Sequence, residues 1–247
     1  KTLEGHRDDL TRINYQEGMG DMRDKADRLR KLTEAIGKDW DFTAEEAADA
    51  DRAAFLSKSD LATGMVTEFT ELQGEMGKEY ALLDGEKPEV AKAIFEQYMP
   101  RFAGDILPEQ EIGRALSLAD KLDNLAATFL RGLIPTGSQD PFALRRQTIG
   151  AVNILTDGKI HWDIRRGIEA ALALLPGDEE TKKTVLSQIE DFFRQRIKAI
   201  MLDEGIAYDI IDAVLAGPVD DIYALFLKAR SMAESQLKGE ADLRQAV

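Results

Sequence analysis

Hydrophobic residues recur every three or four positions along most of the chain, which is the spacing of one face of an α-helix. Alternating hydrophobic and polar residues with β-branched side chains, which indicate strands, are nearly absent. The pattern therefore predicts an all-α fold. Four apolar stripes carry this prediction: Met22, Ala26, Leu29, Leu32, Ile36; Leu61, Met65, Phe69, Leu72, Met76, Tyr80; Ile112, Leu116, Ala119, Leu122, Ala126, Phe129; and Val185, Ile189, Phe192, Phe193, Ile197, Ile200.

Prolines and capping residues predict where these helices begin and end. None of the seven prolines precedes Pro88, so the first third of the chain is predicted to form long helices. Thr43, with Glu46 three residues later, is typical of a capping box at a helix start. Asp140 is predicted to cap a helix that opens at Pro141, after a loop that begins at Pro135.

The composition excludes several kinds of site. The chain has no cysteine and only two histidines, so a disulfide scaffold, a zinc finger, a thiol nucleophile and a histidine-rich metal cluster are all excluded. No stretch reaches the roughly 18 uninterrupted apolar residues of a membrane helix, so we expect no membrane span. The absence of cysteine fits a cytoplasmic location. Because the chain starts at Lys1 without an initiator methionine, we expect a fragment of a longer protein.

The charge is strongly negative but uneven. With 32 basic and 46 acidic residues, the net charge of −14 argues against indiscriminate coating of nucleic acid or an anionic membrane. Residues 1–60, 61–120 and 201–247 carry net charges of −4, −7 and −5, whereas residues 121–200 carry +2. This uneven charge is compatible with a protein that repels most RNA and admits one at a defined surface.

Two pairs of charged residues are candidates for specific chemistry. Asp120 and Asp123 share one helix face, and Asp120 lies beside an apolar stripe. We expect Asp120 to be buried and paired with Lys121 or with an arginine from elsewhere; a metal site is the alternative. Arg145 and Arg146 point to different sides of a helix, so one is expected to hold a buried carboxylate such as Asp120 and the other to reach a phosphate.

Four runs of sequence, at residues 58–77, 96–108, 119–125 and 135–146, together resemble one family, the β subunit of the bacterial tetrameric glycyl-tRNA synthetase. The most specific run is Asp-Pro-Phe-Ala-Leu-Arg-Arg, at residues 140–146. Weaker similarity extends to residues 24–28 and 208–215.

The resemblance implies two regions. Residues 1–160 are expected to form a helical domain like the HD-type phosphohydrolases, and residues 161–247 a helical linker with the start of an anticodon-binding, DALR-like region. HD enzymes bind metal through a histidine, a His-Asp dipeptide and a later aspartate. Only the later aspartate has a counterpart here, Asp120, so the resemblance implies an HD-like fold without its metal chemistry. No metal ligand and no catalytic residue is assigned.

The same resemblance implies a role in binding tRNA. Subunits of this family support the ATP-dependent attachment of glycine to its tRNA, while the α subunit carries the chemistry, and the full enzyme is an α2β2 assembly. ATP and magnesium are therefore expected in the α subunit, with no cofactor in this fragment, which alone is expected to be inactive. The alternatives are a metal-dependent HD-type phosphohydrolase and a structural module that docks the α subunit. The predicted tRNA phosphate contacts are Arg101, Lys121, Arg131, Arg145 and Arg146.

Overall fold

The prediction of an all-α fold is confirmed. A computed structural model describes the backbone of residues 1–245 and the side chains of residues 1–238. Within this part the chain forms twelve α-helices and no β-sheet, with 3-10 turns at Arg7–Arg12, Ser59–Ala62 and Thr70–Leu72. The helices are α1 (Leu3–His6), α2 (Met22–Asp39), α3 (Ala44–Leu56), α4 (Gly64–Glu68), α5 (Glu75–Leu83), α6 (Pro88–Glu96), α7 (Glu111–Leu130), α8 (Leu144–Asp157), α9 (Ile164–Ala173), α10 (Glu179–Asp203), α11 (Tyr208–Leu215) and α12 (Ile222–Gln245).

Helix α7 is the centre of the molecule. Helices α2, α3, α6, α8, α9 and α10 all pack against it, and its predicted apolar stripe is buried throughout. Because α7 has neighbours on every side, its charged residues Asp120, Lys121 and Asp123 are buried as well. Buried charges need partners, so the surrounding helices must supply them.

The C-terminal helices continue the same hydrophobic core. Helix α10 packs on α7, α8, α9 and α11, and α12 packs on α8 and α11. The predicted division near residue 160 falls in the turn between α8 and α9, and buried residues on both sides belong to one cluster. The domain boundary and the likeness to HD-type domains stay predictions. No helix in the described part of the chain is long and apolar enough to cross a membrane.

The single helix predicted for the stripe from Leu61 to Tyr80 is wrong. This segment contains α4, two 3-10 turns and α5, and both Met65 and Phe69 on the stripe are exposed. Lys58 and Gly74 bracket the break in left-handed backbone conformations, with φ of 67° and 81°. The Asp60 carboxylate accepts a hydrogen bond from the Gly74 N–H at 2.6 Å. These local conformations and hydrogen bonds override the periodicity.

The other local predictions agree more closely with the structure. The capping box of Thr43 and Glu46 is confirmed at the start of α3, and the first third does hold two long helices, α2 and α3. Asp140 also caps a helix, since its carboxylate accepts hydrogen bonds from the Leu144 and Arg145 N–H groups at 2.8 and 2.9 Å. That helix, however, begins at Leu144 rather than at Pro141.

Candidate functional site

A cavity of about 380 Å³ opens beside α7, between α2 and α8. All four of the sequence runs described above contribute to its wall, although they are distant along the chain. Two wall residues, Lys58 and Ala143, have positive φ angles of 67° and 53°, and strained backbone of this kind is frequent at binding sites. The lining residues are Tyr15, Met22, Lys25, Lys58, Leu61, Gln73, Tyr98, Pro100, Arg101, Asp120, Lys121, Asn124, Ala143, Arg146 and Gln147.

The floor of the cavity carries three buried lysines and one aspartate. Lys25 on α2, Lys58 before the first 3-10 turn of the broken segment, and Lys121 on α7 are each no more than 3% exposed. The Asp120 carboxylate lies between two of them, with Oδ1 3.0 Å from Lys25 Nζ and Oδ2 3.0 Å from Lys58 Nζ. One carboxylate thus pairs with two ammonium groups.

A second carboxylate lies behind the floor. The fully buried Asp123 is 2.8 Å from Lys25 Nζ and accepts hydrogen bonds from Arg28 Nε at 2.6 Å and Nη2 at 3.1 Å. Burial alone would raise the pKa of Asp123, but the charges of Lys25 and Arg28 hold it below its usual value. Burial similarly opposes the charge of Lys25, but Asp120 and Asp123 outweigh it and raise the pKa of that ammonium group. Both carboxylates are therefore ionised and already engaged.

Lys121 is the basic group of the floor that forms no ion pair with a described carboxylate. Its Nζ donates hydrogen bonds to the Met99 carbonyl at 2.8 Å and to Ser117 Oγ at 2.7 Å, and no carboxylate within the described residues lies at ion-pair distance. Burial lowers the pKa of Lys121 to about 7; the neighbouring Asp120 opposes this effect and Lys58 adds to it. The floor consequently has more basic groups than acidic ones.

Two arginines occupy the mouth of the cavity. Arg101 is exposed and its Nε lies 3.0 Å from the Asp105 carboxylate. Arg146 is exposed and makes no ion pair or side-chain hydrogen bond with any described residue. Its guanidinium is available to an external anion, and a planar guanidinium is well suited to a phosphate.

A neighbouring groove of about 360 Å³ extends this basic surface. It shares Pro100, Ala143 and Arg146 with the cavity and adds Arg145. Arg145 is half-buried and its Nη2 donates a hydrogen bond to the Gly137 carbonyl at 2.7 Å, which fixes the guanidinium over the loop before α8.

The structure brings together four of the five predicted phosphate contacts. Arg101, Lys121 and Arg146 line the cavity, and Arg145 lines the groove beside it. Arg131 lies elsewhere, at the C-terminal end of α7, where it forms an ion pair with Glu17 at 3.2 Å.

The expectation that Asp120 is buried and paired is confirmed, but its predicted partners are wrong. Lys25 and Lys58 pair with it, and neither Lys121 nor an arginine does so. The reason is the packing around α7: α8 places Arg145 and Arg146 at the rim, whereas α2 and the turn at Lys58 face the buried side of Asp120. Within the described residues, no group of three or more His, Asp or Glu side chains is placed to hold a metal ion.

Sequence reasoning missed Lys25, Lys58 and Tyr98 as members of the site. A signal existed for Lys25, because it lies three residues after Met22 and four before Leu29 and so interrupts the apolar stripe of α2. Lys58 and Tyr98 had no such signal. Lys58 reaches the floor from a left-handed turn, and Tyr98 follows the end of α6; neither position is set by helical periodicity.

Comparisons with known proteins all identify the same family. Residues 1–216 match the sequence model of a family described as glycyl-tRNA synthetase beta subunit. Proteins named glycine–tRNA ligase beta subunit are 47% identical over 86% of the chain in Desulforamulus reducens, 48% over 93% in Clostridioides difficile and 45% over 91% in Shouchella clausii. These alignments cover 31%, 33% and 33% of the relatives, so the chain spans about a third of the length of the proteins it matches.

Proposed function

Because the chain belongs to the glycyl-tRNA synthetase beta subunit family, we propose that it is part of a β subunit that supports the ATP-dependent attachment of glycine to its tRNA. In this proposal the α subunit carries the chemistry and holds ATP and magnesium. The two subunits act together in an α2β2 assembly. The contribution of the present region is to bind the tRNA.

The tRNA contact is proposed at the rim of the basic cavity. The observation that carries this proposal is the convergence of Arg101, Arg145 and Arg146 from two separate sequence runs on one surface. Arg146 in particular has no ion pair or side-chain hydrogen bond within the described residues. Arginines placed in this way contact phosphodiester oxygens along an RNA backbone. Arg131 remains a separate prediction, outside this surface.

The overall acidity of the chain is compatible with this proposal. A net charge of −14 repels RNA from most of the surface, and a basic patch inside such a field directs a polyanion to one place. Binding at this patch should depend on salt, because each phosphate neutralised by an arginine releases counterions. Salt dependence is therefore the physical signature of the proposed contact.

The test compares the full-length β subunit, assembled with its α subunit, with the Arg145→Ala plus Arg146→Ala variant. Fluorescence anisotropy of labelled tRNA is recorded between low and physiological salt. We expect the affinity at low salt to fall by about tenfold and the slope of log affinity against log salt to decrease by about two.

Lys31→Ala provides the matched control. Lys31 is an exposed basic residue on α2 outside the cavity lining, so its loss should leave both affinity and slope unchanged. Unchanged affinity for the double arginine variant, with normal assembly of the subunits, would refute the tRNA contact and favour a structural docking role.

A further inference from the structure

The floor of the cavity is built differently from its rim. At the rim, exposed arginines are accessible to any phosphate on the surface of an RNA. At the floor, Lys58 and Lys121 are each 3% exposed, so only a small group that enters the cavity can reach them. A phosphodiester within an RNA strand carries a nucleoside on both sides and is too bulky for this.

The floor has more basic than acidic side chains. Four basic side chains, Lys25, Arg28, Lys58 and Lys121, meet three buried carboxylates: Asp120 and Asp123 in ion pairs, and Asp60 close enough to act on Lys58. Lys121 has only neutral partners, the Met99 carbonyl and Ser117 Oγ. Burial without a carboxylate partner disfavours the charged form of Lys121 and lowers its pKa to about 7, and a bound anion favours that charged form.

Tyr98 adds a neutral donor to the same cavity. Its hydroxyl is buried and has no hydrogen-bond partner within the described residues. Lys58 Nζ lies 4.1 Å from the centre of the Tyr98 ring, which places the ring next to the basic floor. Burial, with the nearby Asp60 and Asp120 charges, raises the pKa of Tyr98 well above its usual value, so the phenol stays protonated and can donate.

We propose that this cavity is a binding site for a phosphate monoester, with the phosphate on Lys121, Lys58 and the Tyr98 hydroxyl and with Arg146 closing over it at the mouth. A monoester fits because it is attached through one oxygen only, so its negatively charged phosphate can enter the cavity end-on. The cavity volume of about 380 Å³ holds a phosphate and its attached sugar. The inference goes beyond the proposed function, because it concerns the buried floor and does not require tRNA.

Two sources present this chemistry. One is a soluble mononucleotide or sugar phosphate, and the other is the 5′-terminal phosphate of an RNA. Both have one ester bond and one exposed terminal phosphate. The experiment therefore first tests the chemistry and then separates the two sources.

The first measurement is calorimetric titration of the full-length β subunit with ribose 5-phosphate, with ribose as the uncharged control. We expect saturable binding of the phosphate only, weakened at least tenfold by Lys121→Met and several-fold by Tyr98→Phe. Lys31→Met is the matched control and should bind normally. Tyr98→Phe removes one oxygen atom and keeps the ring, so it tests the site independently of Lys121.

The second measurement compares tRNA bearing a 5′-phosphate with tRNA bearing a 5′-hydroxyl. If the RNA end is the ligand, the wild-type subunit prefers the phosphorylated tRNA and Lys121→Met loses that preference. If a soluble monoester is the ligand, both tRNAs bind alike while ribose 5-phosphate still binds.

No saturable binding of ribose 5-phosphate at millimolar concentration, or equal binding by wild type and both cavity variants, overturns the inference. Loss of affinity for 5′-hydroxyl tRNA in the Arg145 and Arg146 variant reports on the rim alone, so the two proposals fail separately.

Discussion

At the scale of single residues, Lys121 best shows how this site departs from an ordinary core. A lysine on the central helix of an all-α domain is normally exposed, yet this one is buried against a carbonyl and a hydroxyl. The sequence indicated that Asp120 was unusual, since it falls beside an apolar stripe, and it offered Lys121 as a partner. It could not show that the partners of Asp120 come from Lys25 and Lys58, because that pairing depends on how α2 and the Lys58 turn pack against α7.

The buried Lys121 should reduce stability in a pH-dependent way. Burial lowers its pKa from 10.5 to about 7, so between these values the unfolded chain binds more protons than the folded one. The destabilisation is then full below pH 7 and lost by about pH 10.5. We expect Lys121→Met to raise the free energy of unfolding at pH 7 by about 1 kcal/mol or more, with the gain shrinking as the pH rises.

Urea denaturation of the two proteins at pH 7, 8 and 9 measures this effect. Asp120 and Lys58 lie beside position 121 in both proteins, so their own contributions to the pH dependence largely cancel in the comparison. The Met99 carbonyl keeps its hydrogen bond from Ser117 Oγ in the variant. A loss of stability in Lys121→Met, or a gain that does not change with pH, would contradict this account of the lysine.

At the scale of elements, periodicity was reliable for helices that pack along their whole length. The stripes of α2, α7 and α10 each correspond to an observed helix. The same spacing from Leu61 to Tyr80 does not, because Lys58 and Gly74 adopt left-handed conformations and Asp60 binds the Gly74 N–H. These features are set by local backbone geometry, to which hydrophobic spacing is insensitive.

Gly74 is expected to be essential for this broken segment. Its φ is 81°, and a Cβ at this position would lie 2.6 Å from Tyr98 Cδ2, so alanine would both strain the backbone and displace the ring. We expect Gly74→Ala to lower the free energy of unfolding by about 1–2 kcal/mol.

Gly64→Ala is the matched control for this substitution. Gly64 lies in the same segment, and a Cβ there would meet nothing within 4 Å. Thermal or urea denaturation of both variants measures the difference in their stability. Equal stability of the two alanine variants would show that the left-handed turn and the Tyr98 contact are unimportant.

At the scale of the whole molecule, the site is assembled around α7 from parts of the chain that are far apart. Lys58, Arg101 and Arg146 reach one cavity from three sequence runs, and Lys121 completes it from the central helix. Those runs were identified from the sequence by their resemblance to a family. Hydrophobic periodicity, however, gave no sign that they meet at one cavity. The charge pattern predicted a basic region at residues 121–200, whereas Lys25, Lys58 and Arg101 lie outside it.

The central claim is that the mouth of this cavity contacts tRNA, and site-directed cross-linking tests it most directly. The present chain has no cysteine, so Arg146→Cys can carry a photoreactive label in a full-length β subunit whose remaining cysteines, if any, are replaced. Lys31→Cys, on the exposed side of α2, serves as the control position. We predict efficient cross-links from position 146 to the tRNA in the assembled enzyme, abolished by excess unlabelled tRNA, and few from position 31. Equal cross-linking from both positions, or none from position 146, would contradict the account.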